Sequence, residues 1–174
     1  MAIGLFLAGI GVLVWDQKAD NYLILKRSEE KDFAAGAWEC VTGRVDQGEG
    51  FEEAAHREVL EELGQDVILH AILGTTHFYR GDARPDNELL GIVYLGTLRG
   101  MEPIRLSVEH SEYRWITVPQ ARELLRYQDS AEAWLLKVIE QGEVAKNLLP
   151  AAYSTTRQSR SFELDVRNSG LTDV

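Results

Sequence analysis

Residues 43–64 read GRVDQGEGFEEAAHREVLEELG, a glycine-rich loop that passes into a helical pattern. In the helical part, Ala55, Val59 and Leu63 recur at a spacing of four residues, which places them on one face of a helix packed against a core. Gly64 follows directly, at the position where a glycine commonly ends a helix. The stretch therefore predicts a loop that leads into an amphipathic helix.

Three glutamates of the same helix, Glu58, Glu61 and Glu62, project over about a third of its circumference. Carboxylates this close repel each other unless a cation lies between them, and several hard oxygen ligands suit Mg²⁺ or Mn²⁺. A bound cation would also let an acidic protein accept an anionic phosphate substrate. The alternative is an ordinary solvated helix face with no metal.

The spacing of this stretch resembles the Nudix box, the signature of the Nudix hydrolase family. The matching positions are Gly43, Glu49, Arg57, Glu58, Glu61, Glu62 and Gly64. Gln65 departs from the motif, which usually ends in an apolar residue, but this position packs rather than reacts. The flanking segments AWECVTGRVDQGE and VEHSEYRWITVPQA resemble dihydroneopterin triphosphate pyrophosphatases and some dinucleoside polyphosphate hydrolases, so that the resemblance covers about residues 3–140.

The resemblance implies a metal site built on the three helix glutamates, one of which would orient or deprotonate the attacking water. The backbone carbonyl of Thr42, just before the box glycine, would be a further metal ligand. Glu109 lies at the position of the glutamate that completes the site from a loop, and Glu112 is the competing acid. Which of the helix glutamates is the general base stays open.

Glu49 and Arg57 would form an ion pair that locks the box loop onto the helix, and we count both with the catalytic residues. Arg57 could instead pair with Glu53, four residues earlier on the same helix, in a minor surface contact. The family spacing favours Glu49.

Substrate contacts are predicted at three positions outside the helix. Arg27 ends a strand where family members often place a basic residue against phosphate or base, and Arg44 lies inside the box loop. Tyr79, with its neighbours in the run Phe78–Arg80, would form a stacking wall for a flat ring. Solvated strand ends and core aromatics are the alternative interpretations.

The rest of the chain reads as strands interleaved with helices, which indicates an α/β (mixed α+β) fold with a mixed β-sheet. The resemblance implies the Nudix fold, in which the mixed sheet is sandwiched between helices. The predicted strands are 3–15, 22–26, 38–45, 67–73, 77–80, 89–98 and 113–116, and the predicted helices are 51–63, 119–127 and 130–141.

Composition limits the cellular setting and the partners. The net charge of −10 disfavours a nucleic-acid polymer as partner, because such a partner calls for a basic surface. The apolar N-terminus lacks a basic start and is shorter than the ~20 residues of a membrane span, so we expect no membrane association. The single cysteine, Cys40, cannot form an internal disulfide, and cytoplasm is the expected compartment.

We expect residues 1–142 to form the Nudix hydrolase domain and residues 143–174 to form a C-terminal extension. The extension is rich in small polar residues, which predicts a segment that is partly mobile or docked to a partner. The alternating run SFELDV could add as an edge strand to its own sheet or to the second subunit of a homodimer. The extension should be dispensable for the chemistry.

By resemblance, the chain is a Mg²⁺-dependent pyrophosphohydrolase, with Mn²⁺ as a substitute. It would cleave a phosphoanhydride bond of a nucleoside or pterin di- or triphosphate linked to a group X, using metal-activated water. A non-catalytic nucleotide-binding sensor is the alternative, although such domains typically lose box glutamates. An isomerase on the same scaffold would need a catalytic cysteine or other acid that the sequence does not identify. The exact substrate stays open among pterin, damaged deoxynucleotide, dinucleoside polyphosphate and nucleotide-sugar compounds.

Overall fold

The computed structural model describes residues 4–30, 34–100, 102–149 and 161–163. The strands are β1 (Leu7–Asp16), β2 (Asn21–Arg27), β3 (Trp38–Glu39), β4 (Val41–Arg44), β5 (Val67–Tyr79), β6 (Glu88–Leu98) and β7 (His110–Ile116). The helices are α1 (Phe51–Leu63), α2 (Val118–Leu124) and α3 (Ser130–Leu148), and Pro85–Asn87 forms a short 3-10 turn.

Strand β1 is the centre of a mixed sheet. It runs parallel to β6, from Leu7 opposite Leu89 to Val14 opposite Gly96, and antiparallel to β4 and to the start of β2. The strand order is β3-β2-β1-β6-β5, with β7 paired to β2 and β4 paired to β1. The sheet therefore combines parallel and antiparallel pairs, as the predicted fold class requires.

Two hydrophobic clusters cover the two faces of this sheet. Side chains of β1 alternate between them, as a strand with both faces buried requires. Leu13 belongs to a cluster with Leu135 and Ile139 of α3, whereas Val12 belongs to a cluster with Val59 of α1. The sheet is sandwiched between helices, which confirms the predicted fold.

Helix α1 begins and ends at the residues that the periodicity predicts. Gly64 follows it in the left-handed conformation, with φ of 67°, and its N–H donates to the carbonyl of Leu60. Glycine adopts this conformation at little cost, which explains why the helix ends here. The box stretch therefore forms the predicted loop and helix.

Several predicted bounds differ from the structure. The strand predicted over 38–45 is divided into β3, which pairs with β2, and β4, which pairs with β1. Strand β7 begins at His110 rather than at residue 113, and α2 ends at Leu124 rather than at residue 127. The strands predicted over 67–73 and 77–80 form one strand, β5, because pairing with β6 continues through two irregularities in register. Helix α3 continues past the boundary expected after Gly142. A Cβ at Gly142 would lie 2.6 Å from Leu13 Cδ2, so the glycine lets α3 approach β1 closely rather than ending the helix.

None of the helices in the described ranges is long and apolar enough to cross a membrane. Most of the apolar N-terminal run instead belongs to β1, whose residues Ile10, Val12, Leu13 and Val14 are buried.

Candidate metal and substrate site

The box loop is held against α1 by a bidentate ion pair between Arg57 and Glu49. Arg57 Nε donates to Glu49 Oε1 at 2.9 Å, and a terminal nitrogen of the same guanidinium donates to Glu49 Oε2 at 2.9 Å and to the carbonyl of Arg44 at 2.8 Å. Hydrogen bonding to Arg57 holds the pKa of Glu49 below its ordinary value. Glu53, the other predicted partner, accepts instead from the N–H of Gly50 at 2.9 Å. Arg57 thus bridges the loop and the helix through Glu49.

The three helix glutamates differ in exposure. The side chain of Glu61 is 59% exposed, whereas those of Glu58 and Glu62 are 15% and 5% exposed. Another nitrogen of Arg57 donates to Glu58 at 2.8 Å and lies 3.4 Å from Glu61. A Cβ at Gly43 would lie 2.0 Å from Glu58 Cδ, so only glycine leaves room for this carboxylate.

Burial and mutual repulsion raise the pKa of both inner carboxyls. Burial is the largest cause for Glu58, where Glu61 and Glu109 add repulsion and Arg57 opposes it. Burial also raises the pKa of Glu62 well above its ordinary value, with repulsion from Glu39, Glu58 and Glu109. A carboxylate cluster of this kind gains stability from a proton or a cation.

The loop acid Glu109 lies near enough to this cluster for its charge to raise the pKa of both Glu58 and Glu62. The competing acid Glu112 lies on β7 and accepts a hydrogen bond from Arg114 Nε at 2.6 Å. Thr42 is also near, since its backbone N–H partly offsets the rise in the pKa of Glu62. The structure thus brings Thr42 and Glu109 to the helix glutamates.

The donor set fits a hard divalent cation. Oε2 of Glu62 is buried and has no hydrogen-bond partner among the described residues, and a buried carboxylate oxygen left without one is costly. As they stand, no three His, Cys, Asp or Glu side chains in the described ranges are grouped closely enough to hold a metal ion. Arg57 engages Glu58 and Glu61 in this arrangement, so binding a cation there requires these side chains to turn.

The predicted substrate arginines lie near a third arginine. Burial lowers the pKa of Arg80, which directly follows β5, and repulsion from Arg44 and Arg27 lowers it further. Arg27 also donates to both carboxylate oxygens of Glu39, at 2.7 and 2.9 Å. Tyr79 is 36% exposed, and its ring makes an edge contact with the ring of His77, 5.8 Å between centroids. The arginines form a basic patch suited to phosphate oxygens.

Sequence reasoning assigned no role to Glu39 and left His110 uncommitted, and both lie in the site. His110 Nε2 is 2.9 Å from Glu39 Oε1 and 3.9 Å from Glu62 Oε2. One signal was readable for Glu39, a charged residue between Trp38 and Cys40 in an apolar run. A charge buried in a strand needs partners.

Comparison with known proteins identifies one family. The NUDIX domain family model matches residues 5–138. The chain is 30% identical over 119 residues to the nucleoside triphosphatase NudI of Klebsiella pneumoniae, which covers 64% of this chain and 81% of that protein. It is also 30% identical over 141 residues to isopentenyl-diphosphate Delta-isomerase 2 of Photorhabdus laumondii, covering 78% and 77%.

A further match, to the octanoyltransferase of Myxococcus xanthus, is 32% identical over 110 residues and covers 63% of this chain. The chain spans only 30% of the length of that relative. The crystal structure of the MutT protein from Methanosarcina mazei Go1 shares the fold, with a TM-score of 0.66 and 24% identity. That superposition covers 84% of this chain and 99% of the other.

Proposed function

This chain belongs to the Nudix family, and we propose that its substrate is a nucleoside or pterin di- or triphosphate linked to a group X. It is a hydrolase that acts on phosphoanhydride bonds. The observation that carries the proposal is the buried Oε2 of Glu62, which has no hydrogen-bond partner among the described residues, in a carboxyl whose pKa is raised by burial and by the charges of Glu58 and Glu109. Mg²⁺, with Mn²⁺ as a substitute, would satisfy this oxygen and neutralise the cluster.

In the proposed reaction, water attacks phosphorus in line and the bond from that phosphorus to the bridging oxygen breaks. The bound cation would supply positive charge at the phosphates and lower the pKa of the attacking water. Glu58, Glu61, Glu62 and Glu109, with the carbonyl of Thr42, would hold the cation. One of the helix carboxylates would accept the proton of the attacking water.

The remaining residues bind and orient. Arg27 and Arg44 would bind non-bridging phosphate oxygens. Their positive charges would then lie where negative charge develops in the transition state. Tyr79 would stack on the ring of the substrate. Glu49 and Arg57 would keep the box loop in place on α1, as their bidentate pair indicates.

The proposed partner is therefore a small nucleotide-like molecule rather than a nucleic-acid polymer or a membrane. The similarity to NudI, a nucleoside triphosphatase, favours a triphosphate over other phosphoanhydrides. We place the enzyme in the cytoplasm, and a homodimer remains part of the proposal.

An isomerase is less well supported, although one relative carries that name. Isomerase chemistry on this scaffold would need a catalytic cysteine or another acid at the site. Cys40, the single cysteine, is fully buried, and burial raises the pKa of its thiol. A sensor without catalysis is also less well supported, because all box glutamates are present.

The test is a panel screen with Mg²⁺ that measures released phosphate and pyrophosphate from nucleoside triphosphates, pterin triphosphate, dinucleoside polyphosphates and nucleotide sugars. Glu58→Gln, Glu61→Gln and Glu62→Gln should each lower turnover on the best substrate by at least about 100-fold. Glu123→Gln, an exposed glutamate on α2, is the matched control. Near-normal rates in all three variants would contradict the metal-site proposal.

A further inference from the structure

A second buried carboxylate, that of Glu39, lies beside the proposed metal cluster. Unlike Glu62, it accepts hydrogen bonds from the described part of the protein on both oxygens. Its Oε1 accepts hydrogen bonds from Arg27 at 2.7 Å and from His110 Nε2 at 2.9 Å. Its Oε2 accepts from Arg27 at 2.9 Å and from Thr42 Oγ1 at 2.9 Å. A carboxylate offers about four acceptor positions, so both oxygens are saturated by protein donors.

This saturation separates Glu39 from Glu62. Glu62 Oε2 is buried without a hydrogen-bond partner in the described part of the chain, which leaves it open to a cation. Glu39 has no such open position and is poorly suited to be a ligand. Its three donors also come from three separate parts of the fold, namely the end of β2, strand β4 and the start of β7.

Each donor belongs to a residue of the proposed site or to its neighbour in the chain. Arg27 is itself a proposed phosphate-binding residue, and Thr42 offers the proposed carbonyl ligand. His110 follows Glu109 directly, and the N–H of Ser28 donates to the carbonyl of Glu109 at 2.8 Å. A register irregularity between Lys26 and Arg27 aligns Arg27 with His110 across the two strands.

We propose that Glu39 is a positioning residue, which sets the Glu109 loop and the Arg27 guanidinium relative to the glutamates of α1. The inference rests on the proposed function, because these groups matter only if the site binds a metal and phosphates. His110 connects Glu39 to the loop that carries Glu109. Because the His110 side chain is 1% exposed, its Nε2–H needs an acceptor within the protein, and Glu39 Oε1 is that acceptor.

Glu39→Gln is the test, because an amide nitrogen cannot accept the hydrogen bonds that one oxygen now receives. Three quantities should change together: Mn²⁺ affinity, measured on the protein alone by electron paramagnetic resonance, KM, and amide hydrogen exchange over residues 107–111. Loss of a residue that supports metal ligands typically lowers metal affinity or activity about 10- to 100-fold. We expect Mn²⁺ affinity to fall about 10-fold and the loop to exchange faster.

Glu132→Gln is the matched control. The Glu132 carboxylate is also buried and also accepts four hydrogen bonds, three from Arg126 and one from the N–H of Trp38. It lies on α3, in the other hydrophobic layer, so its loss should lower stability without changing Mn²⁺ affinity, KM or exchange of the loop. If Glu39→Gln behaves like Glu132→Gln, Glu39 is only structural and the proposal is overturned.

Two further outcomes are decisive. If Glu39→Gln does not fold, Thr42→Val removes one of the four hydrogen bonds to Glu39 with little change in shape, and a fall of about threefold in Mn²⁺ affinity is expected. An unchanged affinity in folded Thr42→Val would overturn the proposal. Exchange of the loop in metal-free protein reports on Glu39 even if the substrate screen finds no hydrolysis, so failure of the proposed function is distinguishable.

Discussion

Glu109 and Glu112 are separated by only two residues, yet different charges surround them. The charge of Glu109 acts on Glu58 and Glu62, whereas Glu112 is paired with Arg114 on the same strand. At the scale of single residues, the neighbouring charges therefore distinguish two acids that are equivalent in the sequence.

We predict that Glu109→Gln raises the Mg²⁺ concentration for half-maximal rate by about tenfold, because it removes one proposed ligand. Glu112→Gln should leave that concentration unchanged, since it loses only an exposed ion pair. Titration of Mg²⁺ against the hydrolysis rate measures both. A shift in Glu112→Gln alone would show that Glu112, and not Glu109, is the loop ligand.

A second prediction at this scale concerns pH and Glu132. Burial raises the pKa of this carboxyl, but hydrogen bonds from Arg126 and from the N–H of Trp38 outweigh burial and hold the pKa below its ordinary value. A depressed pKa stabilises the folded state above the pKa of the unfolded chain. That stabilisation is lost as the pH falls through the folded-state pKa.

Glu132→Gln should therefore lower the free energy of unfolding by about 1–3 kcal/mol at neutral pH. The difference from the unmodified protein should shrink as the pH falls below about 4, where carboxyls protonate in the unfolded chain. Urea unfolding at several pH values, followed by tryptophan fluorescence, measures this difference. A gap that is constant between neutral and acidic pH would contradict the expectation.

At the scale of the element, the end of α1 depends on one backbone conformation. Gly64 has a φ of 67°, and a Cβ there would lie 3.3 Å from Arg105 Cβ. Because non-glycine residues are strained in this conformation, Gly64→Ala should lower the free energy of unfolding by about 1–2 kcal/mol.

Gly74→Ala, in strand β5, is the control for this variant. A Cβ at Gly74 would meet no atom of the described residues within 4 Å, and the φ of Gly74 is not positive. We expect a change below about 0.5 kcal/mol in urea unfolding. Equal losses in the two variants would show that the left-handed conformation is not what ends α1.

At the scale of the whole molecule, part of the C-terminal extension lies on α1. Glu163 Oε1 accepts from the N–H of Glu52 at 2.7 Å, and Glu52 Oε1 accepts from the N–H groups of Phe162 and Glu163. The Phe162 ring packs on the hydrophobic cluster beneath α1, 5.9 Å from the ring of Tyr94. Residues 161–163 are not in a strand, and the rest of the predicted edge strand lies outside the described residues.

The end of α3 decides where a truncation should be made. Removal of residues after Gln141 would shorten α3, which also holds Lys146 paired to Asp20 and Glu143 bonded to the hydroxyl of Tyr22. Truncation after Leu149 keeps the helix and removes only residues 150–174. We predict that this truncant keeps hydrolysis within a few-fold and loses about 1–2 kcal/mol of stability with the Phe162 contact.

Light scattering should show the same number of subunits before and after the truncation, because the described contact is made within one chain. Phe162→Ala in the full chain is the matched variant and should lose a similar amount of stability. A halved mass after truncation would instead show that the extension holds a homodimer together. Loss of hydrolysis in a folded truncant would show that the extension supports the active site.

The sequence by itself determined the features that depend on local spacing. The bounds of α1, its glycine end and the common side of the helix that carries Glu58, Glu61 and Glu62 follow from helical periodicity, because neighbours on a helix are near in the chain. The spacing of the box residues also indicated the Nudix family, and the match of the family model to residues 5–138 confirms that membership.

Only the tertiary structure decided which distant residues meet. His110 and Glu39 are 71 positions apart, and Glu163 and Glu52 are 111 apart. The continuity of β5 likewise depends on its pairing with β6. No local pattern encodes such contacts, because they form when strands and helices from different parts of the chain pack together and buried polar groups must find partners there.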